Sequence, residues 1–92
     1  MDKPTLLIVE DSESARKRIE TAIIDGDRFE VVGSVGDFSS AYDIIINTSP
    51  DVLLTDLDLP DGNGLDLIKL LHLPEVKTQL AIVISVFADG KH

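Results

Sequence analysis

Residues 50–64 read PDVLLTDLDLPDGNG and join a short apolar segment to a turn. The run Val52–Leu54 predicts a buried strand, which we place at Asp51–Thr55 with Asp56 at its tip. The Pro, Asn and Gly residues that follow predict a turn. Open α/β sheets bind ligands beyond the carboxyl ends of their strands. Asp56 is therefore a candidate nucleophile, a candidate metal ligand, or both.

The rest of the chain predicts strands and helices in alternation. The other strands are predicted at Thr5–Val9, Phe29–Val32 (stopped by Gly33) and Leu80–Val86. The first helix is predicted from a Ser12 cap to Gly26 and the second from an Asp37 cap over Phe38–Thr48. The third is predicted from Leu65 to Leu73. This βαβαβαβ pattern predicts a three-layer α/β fold, with a parallel sheet between helices. Right-handed crossovers favour strand order 2-1-3-4, the start of the flavodoxin-like order.

The predicted helices differ in the width of their apolar faces. The buried faces are predicted as Ala15, Ile19, Ala22 and Ile23 in the first helix and Phe38, Ala41, Tyr42 and Ile45 in the second. The third helix is apolar most of the way round, which predicts cover on more than its sheet side. The basic cluster Arg16–Arg18 points away from the first face and is interpreted as solvated surface.

Size and composition set limits on the function. Ninety-two residues make a single domain, residues 1–92, and a net charge of −9 argues against a nucleic-acid-binding surface. The absence of cysteine excludes disulfides and thiolate metal sites. We see no apolar run long enough to span a bilayer and no secretory signal, so we expect a cytoplasmic protein without membrane contact.

The predicted topology brings distant acidic residues together. Glu10 and Asp11 end strand one, and Asp56 ends the neighbouring strand three. Carboxylates this close raise one another's pKa, and a divalent cation removes the conflict. Oxygen ligands with room for water suit Mg²⁺, beside which Asp56 can attack phosphorus and form an aspartyl phosphate. Ser85 ends strand four, where its hydroxyl can bond a phosphoryl oxygen.

Together these segments resemble a response-regulator receiver domain. The shared features are the acidic pair after strand one, the Asp56–Leu65 run of the form D-x-x-L-P-D-G-x-G-L, and the hydroxyl residue after strand four. The resemblance covers essentially the whole chain. The run LPDGNGLDLI and the end of strand four are most similar to receivers attached to helix-turn-helix transcription factors.

The resemblance implies a role for each of these positions. Asp56 is implied as the phosphoacceptor for a histidine kinase or phosphotransfer protein, and Ser85 as the switch hydroxyl. Glu10, Asp11 and Asp56, with the backbone carbonyl of Asp58, are implied as Mg²⁺ ligands. The Asp58 side chain and Phe87 are implied to border the phosphoryl pocket. Such a domain is not an enzyme beyond its own phosphorylation and dephosphorylation.

The chain also departs from the family pattern. Receivers usually continue with a helix, a fifth strand and a last helix, and the usual Lys before the fifth strand has no counterpart among these 92 residues. We therefore expect a receiver that lacks its last helix-strand-helix. Strand four would then be an exposed edge, so self-association through it or through helical faces is also expected.

Two other functions remain open from the sequence. A receiver without the Lys can serve as a non-switching interaction or dimerisation module, although such a scaffold has no need of all the site residues. The run Asp56-Leu57-Asp58 also resembles the nucleophile motif of haloacid-dehalogenase-type phosphatases. That motif normally follows the first strand of the core, and it would leave Glu10 and Asp11 without a role.

Overall fold

The computed structural model describes residues 3–84. Its strands are β1 (Thr5–Val9), β2 (Glu30–Val35), β3 (Val52–Asp56), β4 (Asp58–Leu59), β5 (Gly62–Asn63) and β6 (Leu80–Ile84), and its helices are α1 (Glu13–Gly26), α2 (Phe38–Thr48) and α3 (Gly64–Lys69), followed by a 3₁₀ turn at Leu70–His72. No helix within this part of the chain is long and apolar enough to cross a membrane.

Four strands form one parallel sheet in the order β2-β1-β3-β6. The predicted order 2-1-3-4 is thereby confirmed, since β6 is the strand predicted as the fourth. Strands β4 and β5 were not predicted and make a separate antiparallel pair of two residues each. The parallel pairs align Val9 of β1 with Thr55 of β3, so both strands end at the same edge of the sheet.

The hydrophobic core has one cluster on each face of the sheet. The larger cluster contains Leu7, Val9, Ala41, Ile45, Leu53, Leu59, Leu67 and Val76, and the smaller contains Leu6, Ile8 and Val52. Neighbouring residues of β1 alternate between the two clusters, as the two-residue period of a strand requires. Helices α2 and α3 cover the larger cluster, and α1 covers the smaller one with Ile19 and Ile23, which gives the three predicted layers.

The predicted end of β2 at Gly33 is wrong, because the strand continues to Val35. Its pairing with β1 shifts by one residue between Leu6 and Leu7, where Val31 and Gly33 become successive partners. A side chain at Gly33 would come within 2.8 Å of Ile44 and 2.9 Å of Leu7. Glycine here therefore serves the close approach of α2 to the sheet and does not end the strand.

The helices start where their caps predict but bury less than predicted. Ser12 and Asp37 each accept a backbone hydrogen bond at the N-terminus of their helix. Helix α1 contains no fully buried residue; it ends at Gly26, as predicted, and its left-handed C-cap is Asp27. Tyr42, predicted to be buried, is 41% exposed.

The third helix is shorter than predicted. The α-helical part of α3 ends at Lys69 and tightens into the 3₁₀ turn. The apolar side chains of α3 are unequally covered, since Leu67 is fully buried and Leu65 is exposed. The described part of β6 ends at Ile84, and Ser85 and Val86 lie outside the described residues.

Candidate functional site

Glu10 and Asp56 meet at the carboxyl edge of the sheet. Glu10 comes directly after β1, and Asp56 is the last residue of β3. The last aligned pair of these two strands is Val9 with Thr55. Neighbouring strands of a sheet are roughly 5 Å apart, so the two acidic residues are close. Asp56 is half-buried, and its backbone pairs with Ile84 of β6 on the other side. The predicted convergence of strand ends one and three is thus present.

Glu10 carries a buried carboxylate that is only partly satisfied. The residue is 3% exposed, and its Oε2 atom accepts a hydrogen bond of 2.9 Å from the backbone N–H of Ser12. Its Oε1 atom is buried and has no hydrogen-bond partner by geometry within residues 3–84. Burial raises the pKa of Glu10, and the neighbouring carboxylates of Asp56 and Asp11 raise it further, against the opposing effect of the Ser12 N–H.

The backbone of Glu10 is held from both sides. Its N–H donates to the carbonyl of Val35 at 2.9 Å, and its carbonyl accepts a bond of 2.8 Å from the Arg16 guanidinium. Gly36 makes room for this contact, because a side chain there would come within 2.8 Å of Arg16 Nη1. The interpretation of Arg16 as solvated surface is therefore wrong. Its length and planar donor group let it reach back to the strand end.

The backbone of Asp56 is also fixed by its neighbours. Its carbonyl accepts a hydrogen bond of 2.8 Å from the buried Thr55 hydroxyl. Any side chain at Gly64, where α3 begins, would overlap that same carbonyl oxygen. The carboxylate is less constrained, since the N–H of Asp58 donates to its Oδ1 atom at a long 3.4 Å. The main chain of Asp56 is thus held more firmly than its carboxylate.

Asp11 and Asp58 lie at the exposed rim of the site. Within residues 3–84, no three Asp, Glu or His side chains are gathered closely enough to hold a metal ion by themselves. The structure therefore brings Glu10 and Asp56 together and leaves Asp11 as a weaker electrostatic neighbour. Ser85 and Phe87, also predicted for this site, lie outside the described residues.

The residues present fit a hard divalent cation. The Oε1 atom of Glu10 has no hydrogen-bond partner by geometry among the described residues, and the adjacent Asp56 carboxyl raises the pKa of Glu10 through its charge and through a proton that the two groups are close enough to share. A cation between them would remove both the repulsion and the cost of the unpaired oxygen. Mg²⁺ is held by few carboxylates and keeps several waters, so two or three protein oxygens suffice.

Sequence reasoning missed a contact between the β4–β5 turn and α2. The carboxylate of Asp61 accepts hydrogen bonds from the backbone N–H groups of Phe38 at 2.6 Å and Ser39 at 3.1 Å. The Phe38 N–H lowers the pKa of Asp61 more than any other neighbour does. The sequence gives only a weak signal for this contact, because an Asp before Gly62 predicts a turn and does not indicate a partner in α2.

Sequence comparison finds relatives along almost the entire chain. The model of the response regulator receiver domain matches residues 6–91. A nitrate/nitrite response regulator protein homolog from Haemophilus influenzae is 32% identical over 91 residues, which are 99% of this chain and 43% of that protein. A protein-glutamate methylesterase/protein-glutamine glutaminase from Syntrophotalea carbinolica is 32% identical over 97% of this chain and 25% of its own length. The chain thus spans less than half of either relative.

Structural comparison finds the same fold. The signal receiver domain of the response regulator NarL from Mycobacterium tuberculosis matches with a TM-score of 0.82 and 22% sequence identity, over 96% of this chain and 72% of that chain. At this identity the likeness establishes the arrangement of strands and helices. The flavodoxin-like order predicted from the alternating pattern is therefore confirmed.

Proposed function

Because the chain belongs to the response-regulator receiver domain family, we propose that it accepts a phosphoryl group on Asp56 from a histidine kinase or phosphotransfer protein, in the presence of Mg²⁺. The observation that carries the proposal is the pair of carboxyl groups at the sheet edge, where a buried Glu10 oxygen with no partner among the described residues lies beside the half-buried Asp56.

The proposed reaction transfers a phosphoryl group between two protein side chains. A carboxylate oxygen of Asp56 forms the new bond to phosphorus, and the bond from phosphorus to the donor's imidazole nitrogen breaks. The electron pair of the broken bond stays on that nitrogen. When bound, Mg²⁺ neutralises charge on the phosphoryl oxygens. Glu10, Asp11, Asp56 and the carbonyl of Asp58 would hold it.

The surrounding residues serve to orient Asp56. Thr55 and Gly64 fix its main chain, so the carboxylate can move toward phosphorus without a shift of the strand. Ser85 is proposed to donate its hydroxyl to a phosphoryl oxygen, on the resemblance alone. We also propose that the regulated output is transcription, because residues 59–68 are similar to those of receivers attached to helix-turn-helix transcription factors. We further propose that the domain catalyses no reaction beyond its own phosphorylation and dephosphorylation.

Intact mass spectrometry tests the phosphoacceptor directly. The 92-residue chain is incubated with acetyl phosphate and MgCl₂, and the expected product carries one added phosphoryl group. Asp56→Asn removes the nucleophile with almost no change of size, so the adduct should disappear. Asp43→Asn is the matched control: it removes the same charge from the exposed surface of α2, and it should keep the adduct, because Asp43 has no part in the proposed site.

Other outcomes would support the other functions. If the wild-type chain shows no adduct but binds Mg²⁺, the non-switching interaction module is favoured. Steady hydrolysis of p-nitrophenyl phosphate would favour the phosphatase. The position of Asp56 argues against the phosphatase, since it ends the third strand of the chain and lies between β1 and β6.

A further inference from the structure

Asp61 ties the β4–β5 turn to the start of α2. Its two carboxylate oxygens accept the hydrogen bonds from the Phe38 and Ser39 N–H groups, which are 23 and 22 residues away in the chain. These donors belong to the first turn of the helix, where N–H groups have no partner within the helix. The contact therefore satisfies two otherwise free donors of α2 with a carboxylate from a different part of the fold.

Helix α2 does not need Asp61 in order to begin at Phe38. Its own cap is Asp37, whose carboxylate accepts the N–H of Ser40 at 2.9 Å. A local cap of this kind is sufficient for most helix starts. The more specific effect of Asp61 is therefore on the turn that carries it.

The hairpin carrying Asp61 needs outside support. It contains two paired residues per strand, Asp58 with Asn63 and Leu59 with Gly62. A two-stranded hairpin is at best marginally stable by itself. One support is at its base, where the N–H of Gly64 donates to the carbonyl of Leu57 at 2.7 Å. The other is at its tip, where Asp61 bonds to α2.

The tip also packs against the helix. A side chain at Gly62 would come within 2.8 Å of the Phe38 ring, so the turn lies directly on that ring. The Asp61 hydrogen bonds and this contact involve the same helical residue, Phe38. The turn is thus held to the start of α2 by both polar and apolar contacts.

From this arrangement we propose that Asp61 is a positioning residue for the metal site. By holding the turn to α2 it fixes the hairpin, and the hairpin fixes the backbone carbonyl of Asp58 next to Asp56. Asp61 itself contacts neither the cation nor the phosphoryl group. The inference rests on the proposed function, in which that carbonyl is a Mg²⁺ ligand.

The test compares Mg²⁺ affinity among variants of the 92-residue chain. Backbone amide chemical shifts are followed during titration with MgCl₂, and thermal unfolding is measured in parallel. Asp61→Ala should lower the affinity about tenfold, the usual effect of removing a residue that orients a metal ligand. If this variant does not fold, Asp61→Asn replaces it. That variant keeps the size and one acceptor, so a smaller loss is expected.

Two controls separate positioning from helix stability and from charge. Asp37→Ala removes a cap from the same helix without touching the turn, and should lower stability while leaving Mg²⁺ affinity near that of the wild type. Asp66→Ala removes an exposed charge on α3, where it pairs with Lys69, and should change neither quantity appreciably. Equal affinity in the wild type and Asp61→Ala would overturn the inference, as would equal affinity losses in Asp61→Ala and Asp37→Ala.

Failure of the proposed function gives a different result. The wild-type chain would then show no Mg²⁺-dependent shifts at Glu10 and Asp56, and this outcome would overturn both proposals. The amide signals of Phe38 and Ser39 would still move in Asp61→Ala without Mg²⁺, because the hydrogen bonds do not depend on the cation. Spectra recorded without Mg²⁺ thus show whether Asp61 is hydrogen-bonded to the start of α2.

Discussion

Glu10 must be ionised to bind a cation, although its surroundings in the metal-free fold oppose ionisation. Burial and the carboxylate of Asp56 raise its pKa above the ordinary value of 4.5. The folded chain therefore binds this proton more tightly than the unfolded chain does. The stability gained by protonation is complete below pH 4.5 and is lost as the pH rises through the folded-state pKa.

Replacing Glu10 with Gln should stabilise the chain at neutral pH in the absence of divalent cations. The neutral amide avoids repulsion by Asp56, and its N–H₂ can donate to that carboxylate. We expect the free energy of unfolding to rise by about 1 kcal/mol, the lower range for satisfying a buried polar group. The gain should shrink in MgCl₂, because the wild-type chain is then stabilised by bound cation.

Urea unfolding at several pH values, with and without EDTA, measures this effect. Glu75→Gln removes a charge at an exposed loop position and should leave the stability unchanged. A lower stability of Glu10→Gln in EDTA at neutral pH would contradict the argument.

Asp51 connects strands at the amino end of the sheet. Its Oδ2 atom accepts hydrogen bonds from the N–H of Thr5 at 2.8 Å and from the Thr5 hydroxyl at 3.2 Å. Its own N–H donates to that hydroxyl at 2.8 Å, and its carbonyl accepts the N–H groups of Gln79 and Leu80. One residue thus links the starts of β1, β3 and β6.

Asp51→Ala should destabilise the chain by about 1–3 kcal/mol, because the Thr5 N–H then loses a charged acceptor in a partly buried position. Thermal unfolding detects this loss. The control is Asp43→Ala, which removes an exposed charge from α2 and should have a small effect. Since the site lies at the opposite end of the sheet, Mg²⁺ affinity should not change in either variant. A change confined to Mg²⁺ affinity would be contrary evidence.

The elements also show what the sequence can and cannot predict. The strand order and the pairing of Glu10 with Asp56 follow from alternating local patterns and right-handed crossovers, which leave few topologies. The prediction that β2 stops at Gly33 is wrong, because glycine is needed there for the close approach of Ile44 and Leu7 from other elements. The local sequence does not show that approach. Arg16 and Asp61 make contacts with backbone groups that no local periodicity specifies.

The described edge of the sheet at β6 presents apolar side chains. Leu80, Ile82 and Val83 are 51%, 43% and 40% exposed. Within residues 3–84, β3 is the only strand that pairs with β6. Apolar side chains on a strand edge favour pairing with a second chain. We therefore expect the 92-residue chain to self-associate.

Sedimentation velocity over a range of concentrations tests this expectation. The average mass of the wild-type chain should rise with concentration, and Ile82→Lys should reduce the rise by placing a charge on β6. Ile24→Lys is the control, because Ile24 is 61% exposed on α1. A compact monomer at every concentration would rule out self-association, and equal effects of the two variants would exclude β6 as the contact.

The unequal clusters on the two faces of the sheet have a consequence for motion. Helix α1 contributes no fully buried residue, whereas α2 buries Ala41 and Ile45 in the larger cluster. Local opening of the α1 layer therefore exposes less apolar surface and requires less free energy than opening of the α2 layer. Such opening would remove the Ser12 N–H from Glu10 and leave the β3 end in place. In hydrogen exchange, the backbone N–H groups of the turn at residues 10–12 would thus be less protected, and that of Asp56 more protected.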